Sequence, residues 1–170
     1  MAIELPRVLK NMNLFVDGRG YAGRIDEIQL PKLTLKTEEH RAGGMDLPVE
    51  IDLGMEKLEA ELTIADHDPE VFKLFGLLDS TRTQITLRGA IQAQGTVARP
   101  VIVNLAGGCK EIEASAWKPG DKSTLTLQVA AHYYKLTVAD EELVEIDAVN
   151  LVRKVGGVDQ MAEIRAAIGV

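Results

Sequence analysis

Polar and apolar residues alternate with period two along most of the chain. In "KLEAELTI" the apolar Leu58, Ala60, Leu62 and Ile64 alternate with Lys57, Glu59, Glu61 and Thr63. In "QITLRGAIQAQ", Ile85, Leu87 and Ile91 face one way, and Thr86, Arg88, Gln92 and Gln94 the other. Alternation of this kind predicts antiparallel strands with one buried and one solvated face. "TLTLQVAAHYYKLTV" starts with Leu125, Leu127 and Val129 in phase, then changes parity after Tyr133-Tyr134 to Leu136 and Val138. That slip predicts a bulge, or a strand passing from one packing environment to another.

Further strands are expected at Asn13–Val16, Ile25–Lys36, Val49–Leu53, Pro100–Leu105 and Lys110–Ala116. Turn signals separate them at Asp17-Gly18, Gly43-Gly44, Gly107-Gly108 and Pro119-Gly120, the last predicting a hairpin. Helical signals occur twice. "DPEVFKLFGLLD" offers Asp68 as N-cap, Pro69 at the first helical position, and a stripe of Val71, Phe72, Phe75 and Leu78. "VDQMAEIRAAIG" offers Asp159 as cap, Met161, Ile164 and Ile168 on one face, and Gly169 as a stop. The expected fold is mainly β: an antiparallel β-sandwich or barrel with a short packed helix and a C-terminal helix. No repeat or linker divides residues 1–170, so a single domain is expected.

One connection does not fit the pattern of short loops. "TEEHRAGGMDLPVEIDLG", about 37–54, lies between two strands yet carries Met45, Leu47, Pro48 and Val49. Gly43-Gly44 would let an extended hairpin reverse, and an isolated hairpin cannot bury such side chains by itself. Two readings are open here: the arm folds over its own core, or its apolar residues are buried in another molecule.

The chain is acidic, with 26 Asp+Glu against 19 Lys+Arg and a formal net charge of -7, which argues against general binding of nucleic-acid backbones. Its one cysteine, Cys109, excludes an internal disulfide framework and reads as a small half-buried residue beside a turn. No stretch has a signal peptide's core or a membrane-spanning length, so synthesis in a reducing cytosol is expected, without membrane insertion. His40, His67 and His132 fall in separate segments without metal spacing, and Asp68 of "DHD" serves the helix cap. "GGCKE" and "VGGVD" lack a phosphate-loop pattern. No catalytic residue, metal ligand or cofactor site is expected.

"NLFVDG", "LPKLTLKTEEHRAGGMD", "VEIDLGMEKLEA", "KEIEASAWKPGDK" and "YYKLTVADEELVEIDAVNLVRKVGGVDQMAEIRAAIG" resemble, in that order, the major tail tube proteins of contractile-tailed bacteriophages and R-type pyocin-like bacteriocins. The likeness runs from about Asn13 to the C-terminus and is thinnest between about Asp66 and Leu105. It implies a structural, non-enzymatic subunit that forms homohexameric rings. Those rings stack into a tube within a tail sheath, between baseplate and tail terminator proteins. DNA would transit the lumen without specific binding, or the tube would puncture an envelope. Synthesis would be in the bacterial host cytoplasm, and the final location a virion or bacteriocin tail.

The resemblance makes the arm a ring-stacking element, with His40, Arg41, Gly43, Gly44, Met45, Asp46, Leu47 and Val49 as its candidate residues. Glu59, Glu61, Glu111 and Glu113 are candidate lumen- or sheath-facing acids. Rival readings are a ring-forming tube component of a bacterial secretion apparatus, a monomeric ligand-binding β-sandwich, and a hydrolase using the clustered acids.

Overall fold

Alternating side chains dictate a sheet that folds over one core. The computed structural model describes residues 5–76 and 83–170. In chain order the elements are β1 (Val8–Val16), β2 (Arg19–Gly20), β3 (Ile25–Gln29), β4 (Leu35–His40), β5 (Val49–Met55), β6 (Leu58–Ile64) and α1 (Pro69–Phe72). They continue with β7 (Gln84–Gln92), β8 (Arg99–Ala114), β9 (Leu125–Val138), β10 (Glu141–Asp147), β11 (Val152–Val155), β12 (Val158–Asp159) and α2 (Ala162–Ile168).

β8 and β9 form a long antiparallel hairpin that belongs to two layers. In the first layer, β9 residues Leu125–Ala131 pair with β6, and β6 pairs with β3. In the second, β9 residues Tyr133–Val138 pair with β10, while β8 pairs with β7 and β7 with β1. Both layers feed one core: Leu58, Leu62, Ile64, Leu125 and Leu127 from the first, and Leu14, Ile85, Leu87, Val103 and Tyr134 from the second. An antiparallel sandwich whose long strands change layer through bulges is a known solution for such a core.

The parity slip marks that change. Gly107 pairs with Ala131 while Ala106 pairs with Tyr133, so His132 is the extra residue on β9. Lys110 is the extra residue on β8, between Cys109 and Glu111. Close approach at the bend explains a glycine: a Cβ on Gly107 would lie 2.2 Å from the Ala130 carbonyl oxygen.

Several expected boundaries move. Gly107-Gly108 is not a turn; both residues lie inside β8, joining the two strands expected at Pro100–Leu105 and Lys110–Ala116. Cys109 is accordingly buried in a strand, and burial raises its thiol pKa. The strand expected over Ile25–Lys36 is interrupted, because Pro31 has no N–H to offer a ladder.

α1 is one turn long. Asp68 caps it by accepting from Glu70 N–H at 2.9 Å, and Val71 is buried, but Phe72 and Phe75 are exposed. Leu78 lies outside the described residues. α2 has Met161, not Asp159, in the N-cap position, and ends at Gly169 with φ 82°. Asp159 still serves the helix start by accepting from Met161 N–H at 3.0 Å. The apolar face of α2 is not packed: Ile164 and Ile168 are exposed. The Pro119-Gly120 turn and the Asp17-Gly18 turn are where the sequence places them.

Candidate functional site

The arm is a sheet of its own. Among the described residues β4 and β5 pair only with each other, in the register His40 to Val49, Glu39 to Glu50, Glu38 to Ile51 and Thr37 to Asp52. Residues directly opposite share a face. One face therefore carries His40, Val49, Glu38 and Ile51; the other carries Glu39, Glu50, Thr37 and Asp52. Gly44 closes the tip at φ 90°, where a β-carbon would be strained, and Gly43 precedes it in the turn. Met45 is half-buried against that tip: Ala42 N–H lies 3.4 Å from its Sδ, and Arg41 Nε donates to its carbonyl at 3.4 Å. Asp46 is exposed. Leu47 is 66% exposed, and Val49, Ile51 and Leu53 are also exposed.

At the arm's base, Arg153 of β11 donates from Nη2 to Asp52 Oδ2 at 2.8 Å. Asp52 also accepts from Gly54 N–H at 2.7 Å. The Gly54 hydrogen bond, and then the Arg153 guanidinium, hold the Asp52 carboxyl below the usual carboxylate range. The arm is thus fixed at its root and open along its length.

The four candidate acids share one face of the first layer. Ladder pairing aligns Gln29, Glu61, Gln128 and Glu111 across β3, β6, β9 and β8. A second row is Glu27, Thr63, Thr126 and Glu113. Glu59 lies on the same face of β6, opposite Ala130. Its charge is offset by Lys110 and by Lys57, which lower its pKa. Glu61, Glu111 and Glu113 pair with no cation among the described residues. The result is a solvated face of net negative charge.

This layer also has two open edges. Among the described residues β3 pairs only with β6, and the far half of β8, Lys110–Ala114, pairs only with β9. Unpaired edges of this kind present rows of N–H and C=O groups that can accept another chain.

A feature the sequence reading passed over lies near the end of β8. Trp117 is 81% exposed, yet its Nε1–H donates to His67 Nε2 at 3.2 Å, with the rings edge-to-face at 5.7 Å. Ser123 Oγ lies 3.2 Å from His67 Nδ1. The signal was available as a lone tryptophan beside a Pro-Gly turn. His40 stays on the arm and His132 in the β9 bulge, so the three histidines are not brought together. Among the described residues no cluster of His, Cys, Asp and Glu could hold a metal ion.

Comparison with known proteins bears directly on this arrangement. The family model for phage tail tube protein FII matches residues 6–169. This chain belongs to the tail tube protein family. The tail tube protein of Escherichia phage P2 is 34% identical over 172 residues, covering 99% of this chain and 100% of that protein. The major tail tube protein of Serratia phage KSP20 is 35% identical over 157 residues, covering 91% of each. A tail tube protein of this family is a structural subunit of contractile phage tails and phage-tail-like particles.

Solved structures share the fold at low identity. The sheath/tube terminator of an extracellular contractile injection system superposes with a TM-score of 0.63 at 13% identity, covering 80% of this tail tube protein and 99% of that chain. The tube-terminating cap of the anti-feeding prophage gives 0.63 at 11%, covering 82% and 95%. The core is thus one that widely diverged sequences build.

Proposed function

We propose that copies of this protein associate as six-membered rings, and that the rings stack into a hollow tube inside a tail sheath. The observation that carries this reading is the first layer: four strands, two open edges and one acidic face. Joining the β3 edge of one copy to the far half of β8 in the next would extend the layer from copy to copy. A closed ring then leaves no edge exposed.

The face carrying Glu61, Glu111 and Glu113 lines the channel. Negative charge on such a wall repels phosphate groups, so DNA passes without specific binding. The arm at about 37–54 reaches a neighbouring ring, where Leu47, Val49 and Ile51 lose their contact with water. Head-to-tail contacts of this type do not close, and so they build a filament. The sheath surrounds the tube, with terminator and baseplate proteins at its two ends.

Electron microscopy of the purified protein tests this. Rings with a central hole, stacked into tubes, are expected. Particles that stay solitary when concentrated would overturn the reading. Leu47→Asp and Met45→Asp are expected to keep the fold and prevent stacking, because each puts a charge into an apolar contact. Tubes of normal length from both variants would remove the arm from the interface.

A further inference from the structure

We propose that Trp117 is an anchor that inserts into a basic cleft at the opposite end of a second copy, making a ring-stacking contact separate from the arm. The inference rests on the tube reading and adds to it a specific pair of surfaces.

Trp117 follows the last residues of β8, in the loop leading to the Pro119-Gly120 turn. A tryptophan so exposed ordinarily leaves its N–H to water. Here the N–H is taken by His67 Nε2, and His67 Nδ1 faces Ser123 Oγ. The indole is therefore held in one orientation with its polar atom satisfied, and it presents an apolar ring to its surroundings. A preheld aromatic loses little conformational freedom on binding, and burying one removes roughly 150–250 Å² of surface from water.

The cleft lies where β8 begins. It has a volume of about 580 Å³ and is lined by Leu5, Val97 and Ala93, together with Arg7 and Arg99. Val97 is 86% exposed. That size is in the range that receives a small organic group, roughly 300–1,000 Å³. Neither Arg7 nor Arg99 pairs with an acid among the described residues, in a chain whose net charge is -7. Guanidinium groups favour the face of an indole. The turn after Trp117 carries Asp121, without a basic partner among the described residues, and Lys118, without an acidic one; of the two, Asp121 would meet an arginine.

Knob and cleft lie at opposite ends of one strand, so a copy cannot satisfy its own pair. A second copy displaced head to tail can, and it leaves a free knob and a free cleft for the next. That is the symmetry of a stack.

Because Trp117 is the only tryptophan, its fluorescence reports on the burial of this one side chain. In the wild type, emission is expected to shift to the blue as rings stack. Trp117→Ala, and separately the double variant Arg7→Ser with Arg99→Ser, are expected to give folded protein that stops at single rings by electron microscopy. Trp117→Phe keeps an aromatic ring and is expected to recover part of the stacking. Mixing rings of Trp117→Ala with rings of the double variant restores one intact knob and one intact cleft, so pairs of rings are expected and nothing longer. Normal tubes from Trp117→Ala, or a mixture that forms no pairs, would overturn the anchor while the tube reading stands. Wild-type protein that forms no rings would overturn both.

Discussion

Asp52 and Arg153 are 101 positions apart in sequence, yet the guanidinium of one donates to the carboxylate of the other at 2.8 Å. This contact joins the root of the arm to β11, and Asp159 in turn accepts from the Arg153 backbone N–H at 3.4 Å. The arm and the C-terminal segment are therefore mechanically linked through one residue. Replacing Arg153 with Met keeps aliphatic bulk and removes the donor. Amide exchange of β4 and β5 is expected to accelerate about three- to tenfold, as for the loss of a partly solvated charge-assisted hydrogen bond. Unchanged exchange would mean that the arm is held by something else.

Asp159 makes the C-terminal segment sensitive to acid. Arg165, then the Met161 and Arg153 N–H groups, bring its pKa from the usual 3.8 to about 2. A carboxyl whose pKa is lowered by folding stabilises fully above its ordinary value and loses that contribution as pH falls toward the folded one. Exchange protection of α2 should therefore hold above pH 4 and fade between about pH 4 and 2. In Asp159→Asn this step should be absent, with lower protection above about pH 4 and values that converge with the wild type near pH 2.

Gly107 is required for a reason unrelated to turning the chain. Gly107→Ala would push a methyl group into the Ala130 carbonyl at the bend shared by β8 and β9. A loss of about 1–3 kcal/mol is expected from overpacking a backbone contact, read as a lower urea midpoint. Gly43→Ala at the arm tip meets open space and should change stability by less than about 0.5 kcal/mol.

Those two glycines show how far the sequence can be read. Gly43-Gly44 and Gly107-Gly108 look alike as text, and both signal a place where a β-carbon is unwelcome. In the first pair Gly44 needs a left-handed φ; in the second Gly107 is needed where two backbones approach. Alternation in β6 was legible because each side chain meets either core or solvent. Its acids share a face with Glu111 and Glu113 only because of the Lys110 bulge, which no local pattern announces. The helical stripe through Phe72 and Phe75 misled for another reason. Phe75 and Gly76 bridge to Cys109 instead of continuing the helix, and Gly76 has φ 131°. The arm was visible as an overlong connection, but its root at Arg153 depends on contact between distant segments.

Glu39 stands directly opposite Glu50 in the arm, where like charges oppose pairing. Glu39→Lys should therefore stabilise the hairpin by roughly 0.2–1 kcal/mol, seen as slower exchange of β4 amides. If the acidic face of the arm meets a basic surface in the tube, the same change should slow stacking even though the arm is firmer. Faster stacking would place that face in solvent.

Because β8 and β9 run through both layers, a push delivered at one end of the molecule travels along covalent chain before it ever depends on side-chain packing. A tube wall made from such subunits would resist compression as a lattice of continuous struts, and its weakest joints would be the contacts between copies.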